Sequence, residues 1–358
     1  MRILYLISYA GKAGTEKYVL DLMRLYASWG HDCRLAFCEP GELSRTATRE
    51  GFATLQLDLS PRKTLSAAGK LARYCRENAV DVIHAQYPRE NVIAVLSRLK
   101  RPETRVIFTS HLTVDQGRKW YYVNKLITPG DAAVTAVCRQ GAEILRQNGV
   151  CPDRIRVVYN GVPSGPLPPR QDVIRKEFGL DRDCFVFVSF ARYAPEKGLF
   201  ILLDAAARLR EKTPRPFVCL IAGDGEEYEA VGRRIAELRL EGTVLRAGYR
   251  TDTRALLCSA DAYVSSALYN EAMSFSILEA MGCGLPLAVT DVGAGADLAE
   301  GCGYVSRPGD AEGLAENMAA LMADPEKRLA LGDTAYRRAT EEFDLKKQAD
   351  ALFDLYKK

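Results

Sequence analysis

No run in this chain approaches the roughly 20 apolar residues that a bilayer-spanning helix needs, and the opening Met1-Arg2-Ile3-Leu4-Tyr5-Leu6-Ile7 is too short an apolar stretch for a secretory leader. That opening reads instead as a buried first strand. The ten cysteines form no C-x-x-C and no Cys/His cluster at metal spacing. Cys184 and Cys219 fall in apolar strand patterns, so reduced structural thiols in a cytoplasmic protein are the expectation, and no metal site is. There is no G-x-G-x-x-G, which argues against a dehydrogenase. No Asp-x-Asp pair sits between suitable strands to carry a metal. A net charge of +3 is too small to argue for nucleic acid, although it leaves room for a local basic patch.

What is present suits two ordinary α/β domains. At 358 residues, 47% hydrophobic and 27% charged, the chain can build two cores. Short apolar runs alternate with helical patterns, first over 2–7, 33–37, 54–57, 80–85, 105–109, 132–137 and 156–159, with helices at 15–29, 65–78, 91–99 and 139–148. After Asn160-Gly161-Val162-Pro163-Ser164-Gly165-Pro166-Leu167-Pro168-Pro169 the alternation restarts, with strands at 184–190, 217–222, 243–247, 262–265, 287–290 and 303–305. Helices are expected between them at 199–210, 228–239, 253–258, 276–282 and 311–323, followed by amphipathic helices at 326–341 and 346–357. Alternation of this kind implies mainly parallel sheets. The Pro/Gly-rich stretch is the expected domain junction.

The most informative segment runs from Asn270 to Pro286. Glu271 belongs to the loop after the strand ending at Ser265, and Glu279 falls one turn inside the helix that starts near Ser274 or Ser276. Two carboxylates then flank a helix N-terminus, whose unpaired N–H groups and positive dipole end suit a phosphate. A nucleotide-sugar has that layout, with a diphosphate between a ribose and a hexose. A second cluster, Ser189-Phe190-Ala191-Arg192-Tyr193-Ala194-Pro195-Glu196-Lys197-Gly198, follows a strand and opens a helix, which puts it at the strand end where open α/β sheets bind ligands. Arg192 and Lys197 there provide two cations able to neutralise a diphosphate and the charge that develops as it leaves.

These stretches resemble glycosyltransferase family 4. Glu271 and Glu279 match its E-x7-E signature, with Ala272 where the family usually has glycine, and Arg192 and Lys197 match its arginine and E-K-G lysine. The resemblance implies a GT-B fold: two Rossmann-like domains with parallel sheets facing a central cleft, and a C-terminal helix crossing back to the N-terminal domain. The expected division is an acceptor-side domain over 1–163 with helix 344–358, and a donor domain over 170–343. The resemblance further implies that Glu271 holds hexose hydroxyls, Glu279 the ribose, and Arg192 and Lys197 the diphosphate. His111, in Thr109-Ser110-His111, matches a T-x-H position where histidine contacts the donor sugar from the opposite domain. Gly14, in a loop similar to the family's G-G-x-E with Ala13 replacing its first glycine, is the candidate for close backbone approach. Gly223 in Gly223-Asp224-Gly225 matches a G-x-G turn, and Arg250 is implied as a neighbour of the base. Ser274, Phe275 and Ser276 are read as backbone donors, the serine hydroxyls serving equally well as helix caps. His84 resembles a structural D-V-x-H histidine.

The expected activity is therefore metal-independent, retaining transfer of a hexose-type sugar, with a UDP-sugar favoured over GDP-mannose as donor. The acceptor is a saccharide or lipid-linked saccharide of cell-surface glycan or glycolipid synthesis, and no nucleic acid is involved. A GT-B nucleotide-sugar 2-epimerase and a non-catalytic nucleotide-sugar-binding protein are the alternatives. Cations mixed with aromatics over Gln116–Lys125, with Arg62, Lys63, Lys70, Arg73 and Arg76, suggest in addition an anionic membrane surface as partner, at the inner face of the cell membrane. The opposing reading is a solvated helix whose aromatics pack inward.

Overall fold

The computed structural model describes residues 1–11 and 13–357. Two compact units divide the chain: Met1–Asn160 with Lys346–Lys358, and Gly161–Leu345. The first is built on a parallel sheet of β1 (Arg2–Tyr9), β2 (Asp32–Glu39), β3 (Ala53–Gln56), β4 (Val82–Ala85), β5 (Arg105–Ser110), β6 (Ala133–Ala136) and β7 (Ile155–Val157), in the order β3-β2-β1-β4-β5-β6-β7. The second has β8 (Phe185–Phe190), β9 (Phe217–Ala222), β10 (Val244–Gly248), β11 (Ala262–Ser265), β12 (Leu287–Thr290) and β13 (Gly303–Ser306), in the order β10-β9-β8-β11-β12-β13. Both are doubly wound, Rossmann-like sheets, and the architecture is that of the GT-B class.

Each sheet has its helices on both faces, so the central strands are apolar along their whole length; Ile3 to Ile7 of β1 and Phe185 to Val188 of β8 are completely buried. Strand order reverses between β1 and β4 in the first unit, and between β8 and β11 in the second. In such sheets the crevice beyond the strands' carboxyl ends at the reversal is where ligands settle. The residues following β8 and β11 are those of the Arg192/Lys197 and Glu271 loops.

The last helix, Leu345–Lys357, belongs to the first unit from Lys346 onward. Tyr26 Oη donates to the Ala349 carbonyl at 2.8 Å, and the Tyr356 hydroxyl meets His84 Nδ1 at 2.7 Å. Ala349, Leu352, Phe353 and Tyr356 are all buried there. Four helices escape the sequence patterns: Glu42–Arg49, Gly117–Ile127, Val173–Phe178 and Gly295–Ala299. The first is polar apart from Leu43 and Ala47 and is set by its start, where the Gly41 N–H donates to Ser44 Oγ at 2.9 Å. The second buries only Asn124, so no apolar stripe marks it. Val173–Phe178 and Gly295–Ala299 are too short for a helical period to emerge. Strand β7 stops at Val157, short of the expected Tyr159.

Candidate functional site

In the second unit the turn Pro195–Lys197 closes on Gly198, whose φ is +60°. A Cβ at Gly198 would lie 2.2 Å from the Ser266 carbonyl oxygen, which explains the glycine by close approach as well as by backbone angle. Ser266 Oγ donates to the Lys197 carbonyl at 3.0 Å, and Leu268 N–H donates to the Glu196 carbonyl at 2.8 Å. The loop after β8 is thereby sewn to the loop after β11. As a result Lys197 Nζ forms an ion pair with Glu271, both side chains half-buried. The Glu271 loop turns at Asn270, in the left-handed region with φ +56°, which asparagine tolerates. Gly293 seats the other side of that loop, since a Cβ there would fall 2.1 Å from the Glu271 carbonyl oxygen.

Arg192 is largely exposed and ion-pairs with Glu196. Partial burial pushes the Glu196 carboxyl up, but hydrogen bonds from its own backbone and from Arg192, with the charges of Arg192 and Lys197, outweigh this and hold it below the ordinary range.

Helix Phe275–Gly282 begins with no side chain accepting at its cap, so the serines are not helix caps. Ser274 Oγ and Ser276 Oγ are 2.9 Å apart, the Tyr263 hydroxyl reaches Ser276 Oγ at 2.8 Å, and Ser276 Oγ donates to the Phe190 carbonyl at 3.3 Å. The hydroxyls are thus occupied in tying the helix start to β8 and β11. What this leaves to a ligand is the backbone N–H end of the helix and its dipole. Glu279 is half-buried one turn in. Burial raises the Tyr263 hydroxyl pKa, and both Glu271 and Glu279 raise it further by their charge, so one buried phenol lies in the field of both carboxylates.

Gly223 has its own structural explanation. A Cβ there would sit 1.9 Å from the Ala191 carbonyl oxygen, and one at Gly225 2.4 Å from the Tyr193 carbonyl oxygen, so this turn packs on the Arg192 loop. The Arg250 guanidinium is fully engaged. It makes a bidentate pair with Glu177 at 2.6 and 2.9 Å and a second with Asp252 at 2.8 Å on both oxygens, which drives its pKa upward. The side chain therefore braces helix Val173–Phe178, and what Arg250 can offer a ligand is its backbone.

In the first unit Gly14 opens helix Gly14–Ser28, behind Ala13 in extended conformation; Lys12 of the same loop lies outside the described residues. His111, just past β5, bonds Gln86 Oε1 through Nε2 at 3.0 Å, and the Tyr18 ring meets it edge-on at 5.0 Å. His84 is completely buried, its Nε2 2.6 Å from Thr109 Oγ1 and its Nδ1 on Tyr356. Burial lowers both histidines to about 3, His84 being lowered further by His111. Both rings are neutral at pH 7. The ring resonances of His84 and His111 should accordingly show no titration between pH 7.5 and 5 by proton NMR. Because their folded pKa lies below the unfolded value of about 6.5, the stability they contribute is complete above about pH 6.5 and is lost as pH falls toward 3. Titration of either ring near pH 6.5 in the folded protein would show that it is solvated.

Sequence reasoning passed over a cavity of 490 Å³ in this unit, lined by Ser8, Tyr9, Glu16, Tyr87, Pro88, Arg89, Glu90, Leu112, Gln116 and Trp120. Glu90 is 1% exposed and Glu16 6%, and among the described residues Glu16 Oε2 has no hydrogen-bond partner. Burial raises both carboxyls, opposed at Glu90 by Ser8 and at Glu16 by backbone N–H groups. Glu16 belongs to the G-G-x-E-like loop, and Gln116 and Trp120 to the basic and aromatic segment, already singled out in the sequence, whereas nothing there marked Glu90.

Among the described residues no group of three or more His, Cys, Asp or Glu side chains is arranged to hold a metal ion.

Two family models match this chain. That described as "Glycosyl transferases group 1" spans residues 170–338 and that described as "Glycosyltransferase Family 4" spans residues 13–164. Over 96% of the chain and 93% of the relative, it is 24% identical to the UDP-Gal:alpha-D-GlcNAc-diphosphoundecaprenol alpha-1,3-galactosyltransferase of Escherichia coli. It is 27% identical to the lipopolysaccharide core biosynthesis glycosyltransferase LpsD of Rhizobium meliloti, over 99% of the chain and 98% of the relative. In fold it is similar to HepE of Anabaena, solved in complex with UDP, with a TM-score of 0.86, 21% identity and 99% of each chain covered.

Proposed function

We propose that this chain, which belongs to glycosyltransferase family 4 and is a glycosyltransferase, moves a hexose-type sugar from a UDP-sugar to a saccharide or lipid-linked acceptor with retention at the anomeric carbon. The observation that carries the reading is the Lys197–Glu271 ion pair, in the loop that leads into helix Phe275–Gly282 at the strand reversal of the second unit. The dipole end and Lys197 receive the diphosphate, Glu271 exchanges its lysine partner for sugar hydroxyls, and Glu279 meets the ribose. Arg192, held by an exposed ion pair with Glu196, can exchange it for phosphate at little cost. His111, neutral and oriented by Gln86, offers a hydrogen bond to the sugar without adding charge. The preference for a UDP-sugar draws support from the named activity of the Escherichia coli relative and from the UDP complex of HepE.

In the retaining reaction the acceptor oxygen attacks from the face that the diphosphate leaves. The leaving phosphate oxygen takes the acceptor proton, and the cations beside it stabilise the charge that develops. Proton NMR of the first product formed reads the outcome through the anomeric coupling. An α-linked donor should give an α-glycoside, and a β-glycoside would overturn the reading.

The same proposal gives the protein an anionic membrane surface as partner. Helix Gly117–Ile127 exposes Tyr121, Tyr122 and Leu126, the last at 81%, beside Arg118, Lys119 and Lys125. Tyr122 at 57% and Tyr121 at 37% exposure support a membrane-facing role over the solvated-helix alternative. Apolar and basic side chains exposed together are the pattern of interfacial helices. Among the described residues no helix is long and apolar enough to cross a membrane. The protein should float with anionic liposomes in low salt and be released by high salt; binding indifferent to salt and to lipid charge would remove the membrane from the proposal.

A further inference from the structure

The loop that carries Glu271 has no secondary structure of its own to hold it, since residues 266–274 form neither helix nor strand. It rests on the loop that follows β12. There the Ala294 N–H donates to the Ala272 carbonyl at 2.7 Å, and Gly293 leaves room for the Glu271 carbonyl to pass. That second loop runs directly into helix Gly295–Ala299, five residues long. The last four carbonyls of any helix lack a partner within it, so a helix this short is marginal by itself and its placement has to come from outside.

Arg338, on helix Pro325–Glu341, provides it. Its Nη1 donates to the Leu298 carbonyl at 3.0 Å and to the Glu300 carbonyl at 2.8 Å, and its Nη2 donates to the Asp297 carbonyl at 3.0 Å. The guanidinium thus closes the carboxyl end of helix Gly295–Ala299, where the dipole also favours a cation. Its own position is fixed, with Nε donating to Glu342 at 3.0 Å and Cζ lying 5.3 Å from the Phe343 ring centroid. A planar fork that reaches three carbonyls is a task for arginine and not for lysine. The same long helix meets the turn after helix Phe275–Gly282, since a Cβ at Gly332 would fall 2.4 Å from the Gly284 carbonyl oxygen.

Resting on the transferase reading, in which Glu271 releases Lys197 and takes sugar hydroxyls, we infer that Arg338 is a positioning residue for that exchange. By fixing helix Gly295–Ala299 it keeps the backbone of the Glu271 loop in place while the carboxylate changes partner. Its influence falls on the sugar and not on the diphosphate. The N-terminal end of helix Phe275–Gly282 is tied down separately, through Tyr263 and Ser276 to the Phe190 carbonyl.

Calorimetric titration of the full chain with UDP, UDP-glucose and UDP-galactose tests this, the quantity read being the affinity of the better donor relative to that of UDP. Arg338→Met, which keeps most of the side chain's reach and removes its donors, should leave UDP affinity within about twofold and lower that ratio by about tenfold. Glu271→Ala should lower the ratio as much or more. Adding Arg338→Met to Glu271→Ala should then lower it no further, because residues acting through one chain of contacts are not additive. If the methionine variant fails to fold, Arg338→Lys, which retains the charge and loses the fork, should show the same split more weakly. Equal losses of UDP and donor would make Arg338 a general support of the unit and overturn the inference. So would an unchanged ratio in folded Arg338→Met, or in Arg338→Lys where that stands in for it, and so would an undiminished effect in the Glu271→Ala background. A normal ratio in Glu271→Ala alone would bring down the assignment of the sugar to Glu271 together with the inference, so the two failures read differently.

Discussion

Replacing Glu271 by alanine should cut turnover by about 10²–10³ while leaving UDP affinity intact or slightly improved. The asymmetry follows from the ion pair with Lys197. In the unliganded protein this carboxylate is the lysine's counter-charge, so a diphosphate has to take its place. Deleting Glu271 removes that competitor together with the partner for the sugar hydroxyls. The complementary change, Lys197→Ala with Arg192→Ala, should weaken UDP by about tenfold or more and lower turnover as well, since both cations then vanish from the charge that develops on the leaving group. Both side chains are half-buried or exposed, so the folded state should survive. Calorimetric titration with UDP separates the cases. If Glu271→Ala lost UDP as severely as the lysine variant does, the carboxylate would be holding the nucleotide and not the sugar.

That reading was partly legible from residue order. Alternating apolar runs located most strands within a residue or two, because central strands of a parallel sheet are buried on both faces and carry unbroken apolar stretches, as in Phe217–Ala222. Strand order was not legible, since nothing local says that β11 lies beside β8 and not beside β10. The pairing of Lys197 with Glu271, 74 residues apart, depends on that order. So does the duty of Gly198, which a sequence reader assigns to a turn and which the packed chain assigns as well to the passage of the Ser266 carbonyl. Arg250 shows the converse. Its position suggested a ligand contact, yet a six-residue helix too short to leave a periodic trace brings Glu177 to its guanidinium. The buried carboxyl of Glu90 was hidden for a third reason: burial of one side chain at a helix start depends on what lies above it, here Ser8 and Trp120, far away along the chain.

Removing residues 346–358 should unfold the first unit and spare the second. The deletion strips Leu352, Phe353 and Tyr356 from the surface they cover, at about 1.5–3 kcal/mol apiece, so about 4.5–9 kcal/mol in all. It also leaves His84 Nδ1 buried without its Tyr356 partner, about 1–3 kcal/mol more. Against a total of about 5–15 kcal/mol for an ordinary domain, that is most or all of the margin. Urea unfolding followed by limited proteolysis should find a protected core mapping to 161–345 and rapid cleavage within 1–160. Tyr356→Phe, which gives up only the hydroxyl's partner to His84, should lower stability modestly. A truncated protein as resistant to protease in its first half as the intact one would show that the helix is ornamental to that unit.

The same anchorage sets a schedule for biosynthesis. The first unit's sheet leaves the ribosome early, but its covering helix is separated from it by the 185 residues of the second unit, 161 through 345. At about 5–20 residues per second, the nascent chain spends about 10–40 s with Tyr26 and His84 lacking their partners on the last helix, Ala349 and Tyr356. The second unit, contiguous in the chain, completes first. Birth order and folding order are therefore reversed, and the earliest-made half of the protein is the one that depends longest on protection from misassociation.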